Sequence, residues 1–490
     1  MIAFRRSLLA LPLLLLLGWS WWQLHRPPSP LPTADGSTLT WSECWFDSPW
    51  WRPVHCGWLQ VPDGFRLPVV YLPAWFWRRH APPVIYVNGG PGAATGLDDE
   101  VMPAWLDWVD EVAWPSDLIL YDQRGVGLSR PAFDCPEVRA VRKVLMASTA
   151  PLEAQYRRLA EVQHRCLARL RASGFDPQRF HSLANADDVL SLVGALGLPR
   201  WRLYGVSYGT RVVLELMRRN PPGLEAVVLD SVYPPEVHAE EQDAWLLQRA
   251  LVQATRVCEL LDCELGRARL RQWLEQAMAG MEARSLQLSL MDPEEKTPIA
   301  ARFDAADMAW LVFDAQYDWH KLLQLPALLR ELAERRPGKV TFAIAQDALA
   351  AELADDVSDP VANSVECADN GSLQEQEFLR QLQQFPLVAE IKRLDWRFGP
   401  CRWWPHAPVA QRLRRPLVSA VPTLLLAGEF DPVTPPEWAE RTAAQLPEGN
   451  LLIFAGMGHG VLDSDDCAVA ATRAFWRDPA APQVPACLDP

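Results

Sequence analysis

Short apolar runs at Val84–Val87, Leu118–Tyr121, 201–204 and 226–229 alternate with longer stretches of helical spacing, and each run opens into a turn bearing glycine or aspartate. Runs this short and this apolar are buried on both faces, and strands that alternate with helices pair in parallel between two helical layers. Apolar residues recur every three or four positions over 152–171 and 185–196, and again over Tyr208–Arg219, where Asn220-Pro221-Pro222 stops the helix. The alternation breaks off near Glu236. From there to about Pro408 the pattern is helical, with segments at 244–261, 270–283 and 322–335. Strand-like runs return at 423–427 and 451–454, and a last helix is expected over 467–476. A single α/β domain carrying an inserted helical cap accounts for this order. The expected layout is a leader at 1–26, a Pro-rich linker at 27–40, core at 41–235, cap at 236–408 and core again at 409–490. No internal repeat of fixed period is present.

The 490 residues are 49% hydrophobic, which supplies a large core and excludes a disordered chain. Against 61 acidic residues stand 47 Lys and Arg, and a net charge of -14 argues against nucleic acid as a partner. The N-terminus has Arg5 and Arg6 before an apolar run at 8–22. As a helix that run spans about 22 Å, short of the roughly 30 Å bilayer core, which favours an export signal. No A-x-A cleavage site follows; instead come Trp19, Trp21 and Trp22, residues suited to a membrane interface, so an uncleaved anchor is the competing expectation. Either way the body is expected outside the cytoplasm, periplasmic or secreted. Ten cysteines fit that compartment: Cys44, Cys56, Cys135, Cys166, Cys258, Cys263, Cys367, Cys401, Cys467 and Cys487. They include no CxxC pair and no zinc-finger spacing. Pairing nearest neighbours gives five short loops, but the spacing leaves the connectivity open.

Gly205-Val206-Ser207-Tyr208-Gly209 lies between an expected strand and an expected helix, the context of a nucleophile elbow. The glycines permit a turn too tight for side chains, and the helix N-terminus favours negative charge developing beside the serine. Downstream, Asp431 follows one apolar run and His459 the next, in the glycine-rich loop Ala455-Gly456-Met457-Gly458-His459-Gly460. Ser207, Asp431 and His459 thus occur in the order of an α/β-hydrolase triad, with His459 as base and Asp431 as its orienting partner. The glycines of Asn88-Gly89-Gly90-Pro91-Gly92 allow backbone N–H groups close to a substrate carbonyl. Gly89, Gly90 and Tyr208 are therefore the expected oxyanion hole. Of the nine histidines, His459 alone follows a late strand in such a loop; the others are read as structural, surface or leader residues. No phosphate-binding glycine loop occurs, no metal set is evident, and no cofactor is expected.

The NGGPG run, Asp122-Gln123-Arg124-Gly125-Val126-Gly127-Leu128-Ser129, the GVSYG elbow and the late Asp and His together resemble the prolyl aminopeptidase and tripeptidyl aminopeptidase family of serine peptidases. The resemblance spans roughly residues 40–480 and is closest to the secreted, disulfide-bearing branch. It implies an α/β-hydrolase fold with a helical cap, an acyl-enzyme mechanism and a peptide substrate with a free N-terminus. The sequence departs from the family at Asn88, where histidine is usual; asparagine can still brace the loop. In the family the Asp122–Ser129 motif is mainly architectural, which assigns Asp122 and Arg124 no catalytic step. A free ammonium needs a carboxylate partner. The resemblance points to Asp369 of Cys367-Ala368-Asp369, with Glu366 beside it, and Trp403 and Trp404 either wall a pocket or pack in the core. An esterase or lipase on the same fold is the alternative, followed by a non-catalytic envelope protein on this scaffold.

Overall fold

The computed structural model describes residue 18 and residues 26–75, 77, 81–261, 263, 265–415, 417–481 and 485–488. The leader's apolar run, with both the export-signal and the anchor expectation, lies outside the described residues apart from Gly18. Among the described residues no helix is long and apolar enough to cross a membrane.

Among the described residues nine strands form one sheet: β1 (Thr38–Ser42), β2 (His55–Gln60), β3 (Arg66–Leu72), β4 (Val84–Val87), β5 (Leu118–Tyr121), β6 (Trp201–Val206), β7 (Leu224–Asp230), β10 (Thr423–Gly428) and β11 (Gly449–Phe454). Their order is β1-β2-β3-β5-β4-β6-β7-β10-β11. The first three strands are antiparallel, and everything from β5 to β11 is parallel. This is the α/β-hydrolase fold. All four residues of β4 and of β5 are buried, as expected for strands covered on both faces. Each buried Val, Ile or Leu contributes about 1.5–3 kcal/mol of burial free energy. The helices expected at 152–171 and 185–196 are Leu152–Ala172 and Ser182–Leu196. The elbow helix is Tyr208–Arg219, ended by Asn220 in the left-handed conformation (φ 45°) before the two prolines.

Between β7 and β10 the chain leaves the sheet for a cap of helices, among them Ala239–Ala254, Gly266–Ala283, Ala305–Asp314, Leu325–Ala333, Lys339–Leu353 and Asp359–Asn370. The cap also holds a hairpin, β8 (Leu286–Met291) with β9 (Pro298–Phe303), where only helix was expected. Its strands alternate inward Leu288 and Leu290 with exposed neighbours, and Asp292 accepts the backbone N–H groups of Glu294 and Glu295 to turn the chain.

All ten cysteines are bridged, as Cys44–Cys56, Cys135–Cys166, Cys258–Cys263, Cys367–Cys401 and Cys467–Cys487. Such a set forms and persists in an oxidising, extracytoplasmic compartment. The Asp122–Ser129 motif does architectural work. Asp122 accepts the N–H groups of Thr95 and Leu128, each at 2.8 Å. Arg124 pairs with buried Asp188 at 2.7 Å and with Asp63 at 2.8 Å.

Candidate active site

Parallel pairing puts the C-terminal ends of β4, β6, β7, β10 and β11 side by side, and the loops leaving those ends carry the chemistry. Ser207 follows β6 with φ 54° and ψ -125°, a conformation costly for a residue with a side chain. The flanking glycines are required. A Cβ on Gly209 would lie 2.0 Å from the carbonyl oxygen of Val87, and one on Gly205 would lie 2.8 Å from Val213. Tyr208 opens the following helix, so its N–H lacks an intrahelical partner.

The loop after β4 lies over the serine. A Cβ on Gly89 would be 3.0 Å from Ser207 Cβ and 3.5 Å from its Oγ. Asn88 braces this loop. Its Nδ2 donates to the carbonyls of Ala93 (3.3 Å) and Ala94 (2.8 Å), and its Oδ1 accepts from the Tyr86 hydroxyl at 2.9 Å.

Asp431 and His459 meet beyond β10 and β11, with Asp431 Oδ2 2.8 Å from His459 Nδ1. Asp431 is fully buried and also accepts from the N–H groups of Val433 (2.9 Å) and Thr434 (2.8 Å) and from the Thr434 hydroxyl (2.8 Å). Burial alone would raise its pKa, but the charge of His459 and these donors outweigh it and hold the carboxyl below the ordinary range. Burial would likewise lower the His459 pKa. Asp431 outweighs that and holds the imidazole above the ordinary histidine value. An imidazole bound this way at Nδ1 keeps Nε2 available for a serine proton.

Two supports were not visible in the sequence. Asp230, at the end of β7, accepts the Ser207 N–H with its carbonyl oxygen at 2.9 Å. Its carboxylate accepts the N–H groups of Val461 (3.0 Å) and Leu462 (2.9 Å), so one residue ties the elbow to the histidine loop. The cap supplies the second support. The His459 N–H donates to the Tyr317 carbonyl at 3.1 Å, and the Tyr317 ring stands edge-on to the imidazole at 5.3 Å. Gly458 lies so close that a Cβ there would fall 2.1 Å from the carbonyl oxygen of Gln316.

Among solved structures, an alpha/beta hydrolase fold protein from Chitinophaga pinensis is 12% identical, with a TM-score of 0.38 covering 91% of this chain and 98% of that one. Putative hydrolase YuaR of Escherichia coli (strain K12) is 25% identical over 241 residues, 44% of this chain and 45% of that one. Serine protease Hip1 of Mycobacterium tuberculosis (strain ATCC 25618 / H37Rv) is 24% identical over 475 residues, covering 89% of this chain and 87% of Hip1. Residues 391–487, which carry Asp431 and His459, match the family described as TAP-like protein. The C-terminal part of the chain thus resembles the TAP-like family, on a fold that is that of an α/β-hydrolase. The chain's chemistry is that of a serine hydrolase.

In this hydrolase the two cap carboxylates differ. Asp369 is 0% exposed. It accepts the Ser182 N–H at 3.0 Å and the Ser182 hydroxyl, and that hydroxyl lies 3.0 Å from the hydroxyl of Tyr208. Asp369 thus buttresses the elbow helix from the cap side, with both oxygens occupied. Glu366, one helical turn earlier, is half-buried. It accepts from Asn370 Nδ2 at 2.6 Å and from the Tyr233 hydroxyl at 3.4 Å. Burial pushes its carboxyl up to about 7 against the pull of Arg211. Tyr233 leads back to the elbow, because its N–H donates to Thr210 Oγ1 (2.8 Å), which itself donates to the Ser207 carbonyl (2.6 Å). Trp404 is buried, with its N–H on Ser364 at 2.8 Å, and Trp403 stacks on His164 at 3.5 Å. Both are packing residues. His181 and His238 are held well below the ordinary histidine value, at about 4, by burial and neighbouring arginines. His80 lies outside the described residues. Among the described residues no cluster of His, Cys, Asp or Glu could hold a metal ion.

Proposed function

We propose that this protein is an exported serine exopeptidase that cleaves peptide bonds near a free N-terminus through an acyl-enzyme. One observation carries the reading. Ser207, held at φ 54° under Gly89, shares a sheet edge with the Asp431–His459 pair. In this reading His459 takes the proton of Ser207 as the hydroxyl attacks the carbonyl carbon. Asp431 stabilises the imidazolium, and the N–H groups of Tyr208 and the Gly89-Gly90 loop receive the developing oxyanion. His459 then returns the proton to the departing amine, and water hydrolyses the ester. Glu366 holds the substrate ammonium, since its carboxylate is half-buried and one tyrosine away from the elbow while Asp369 is occupied by Ser182. The N-terminal run supports export, with or without retention as a membrane tether.

The test pairs a fluorophosphonate probe with a peptide library read by mass spectrometry. Wild type should be labelled and should release N-terminal residues or short peptides from free but not acetylated substrates. Ser207→Ala should lose labelling and turnover by several orders of magnitude while keeping its thermal transition. Turnover of esters alone would assign the site to an esterase, and near-normal turnover by Ser207→Ala would end the triad assignment.

A further inference from the structure

The sheet edge opposite Ser207 carries an aromatic patch that the hydrolase chemistry does not use. β2 begins at His55 opposite Tyr71, and β3 ends at Leu72 opposite Leu118, the first residue of β5. The segments before β2 and after β3 therefore lie at the N-terminal edge of the parallel strands, while the elbow leaves the C-terminal edge. Trp50 is 93% exposed, Trp51 47% and Trp77 54%. Two of these indoles form a ladder with the half-buried Trp75 between them. Trp51 and Trp75 are near-parallel (10°) with centroids 6.3 Å apart, and Trp75 and Trp77 likewise (8°) at 5.1 Å. The ladder is braced from within: Trp75 Nε1 donates to Asp110 at 3.1 Å, and the Arg52 guanidinium lies over the Trp75 ring at 5.3 Å. A contiguous indole row with its outer members exposed marks an interaction site.

We infer that Trp50, Trp51, Trp75 and Trp77 form a docking surface for the headgroup region of a phospholipid bilayer. Indole combines an apolar ring with an N–H donor, which suits the membrane–water interface. The chain itself indicates the occupant. The apolar run at 8–22, with its own three tryptophans, leads into the described structure at Arg26. The carbonyl of Pro28 accepts from Trp41 Nε1 at 3.0 Å, and the Trp41 ring stands 6.3 Å from Tyr71, next to the end of β3. The first described residues, into which the leader runs, and the tryptophan row thus lie at the same edge of the molecule. A bilayer at that edge leaves Ser207 and the cap facing away from the lipid, open to substrates in solution. The inference does not depend on which bond the serine cleaves.

Hydrogen exchange of the full chain, read peptide by peptide with and without vesicles of phosphatidylethanolamine and phosphatidylglycerol, tests it. Amides around Trp50–Trp51 and Trp75–Trp77 should slow only when vesicles are present. The triple variant Trp50→Ser/Trp51→Ser/Trp77→Ser should lose that protection while hydrolysing a soluble ester at the wild-type rate, which shows the fold intact. Should the triple variant fail to fold, Trp50→Ser alone, at the most exposed position, replaces it. Equal exchange with and without vesicles would overturn the inference. So would protection by soluble oligosaccharides and not by vesicles, or protection that grows with protein concentration in the absence of lipid.

Discussion

Replacing Gly89 with alanine tests the oxyanion site without removing any triad member. The backbone of Gly89 is not in the left-handed region, so alanine can adopt its conformation. The added methyl meets Ser207 Cβ at 3.0 Å and the Val206 carbonyl oxygen at 3.3 Å, contacts relieved by a shift of a few tenths of an ångström. Lower unfolded-state entropy favours alanine by about 0.4–1 kcal/mol, and overpacking opposes it by a similar amount, so the folded state should change by less than about 1 kcal/mol. Activity should not survive as well. The methyl would stand 3.5 Å from Ser207 Oγ, and a displaced loop takes its N–H away from the oxyanion. Losing one such donor costs roughly 2.7–4 kcal/mol, about 100- to 1000-fold in kcat. Gly90→Ala is the contrast. With φ 106° and a Cβ 2.7 Å from the Ala93 nitrogen, it should lose more than about 1 kcal/mol of stability as well as activity. The assays are kcat and KM on a p-nitrophenyl ester and a peptide amide, beside calorimetric unfolding. Near-wild-type kcat for Gly89→Ala would refute the placement of the oxyanion, and equal destabilisation of both variants would refute the packing argument.

Glu366→Gln should reduce kcat/KM for free-amine peptides by about 10- to 150-fold, the worth of a charged hydrogen bond of roughly 1.5–3 kcal/mol, and leave acetylated peptides and esters unchanged. Asp369→Asn should instead lower all substrates together through its contact with Ser182, and a selective effect there would reverse the two assignments. Because His459 must be neutral to act as base and its pKa is raised, ester hydrolysis should fall with decreasing pH around a midpoint above the ordinary value of about 6.5. Free-amine peptides should show a steeper acid limb, since Glu366, at about 7, must ionise too. A midpoint at or below the ordinary value, or identical limbs for both substrates, would contradict this. Removing the Cys44–Cys56 bridge, which closes a 12-residue separation, should cost about 2–4 kcal/mol in a melt while sparing room-temperature activity, because β1 and β2 lie at the far edge from the triad.

The parts of this site legible in the sequence were those whose constraint is local. A glycine two residues either side of Ser207 announces a turn, and the apolar runs before Asp431 and His459 announce strands ending just short of each. Asp230 escaped notice because an aspartate after a strand reads as an ordinary turn residue; only the fold brings the N–H groups of residues more than two hundred positions away onto its carboxylate. Tyr317 was hidden for the same reason, as its contribution is a carbonyl that any residue type possesses. Asp369 and Glu366 show the limit of motif reading. They share one helix, but their separation by three residues turns one against Ser182 and leaves the other beside Tyr233. The β8–β9 hairpin was missed because its alternation is brief and sits within a long stretch of helical periodicity.

The bond from His459 to the Tyr317 carbonyl bears on when the enzyme becomes active. A nascent or partly folded chain could complete the whole nine-stranded sheet and still lack a positioned base, because residues 316 and 317 belong to the inserted segment. Hydrolytic competence therefore requires the cap docked against the sheet as well as the sheet itself, and turnover reports on both. Grafting a foreign cap onto this sheet would have to reproduce one backbone carbonyl and the clearance at Gly458 before any change of specificity could be read.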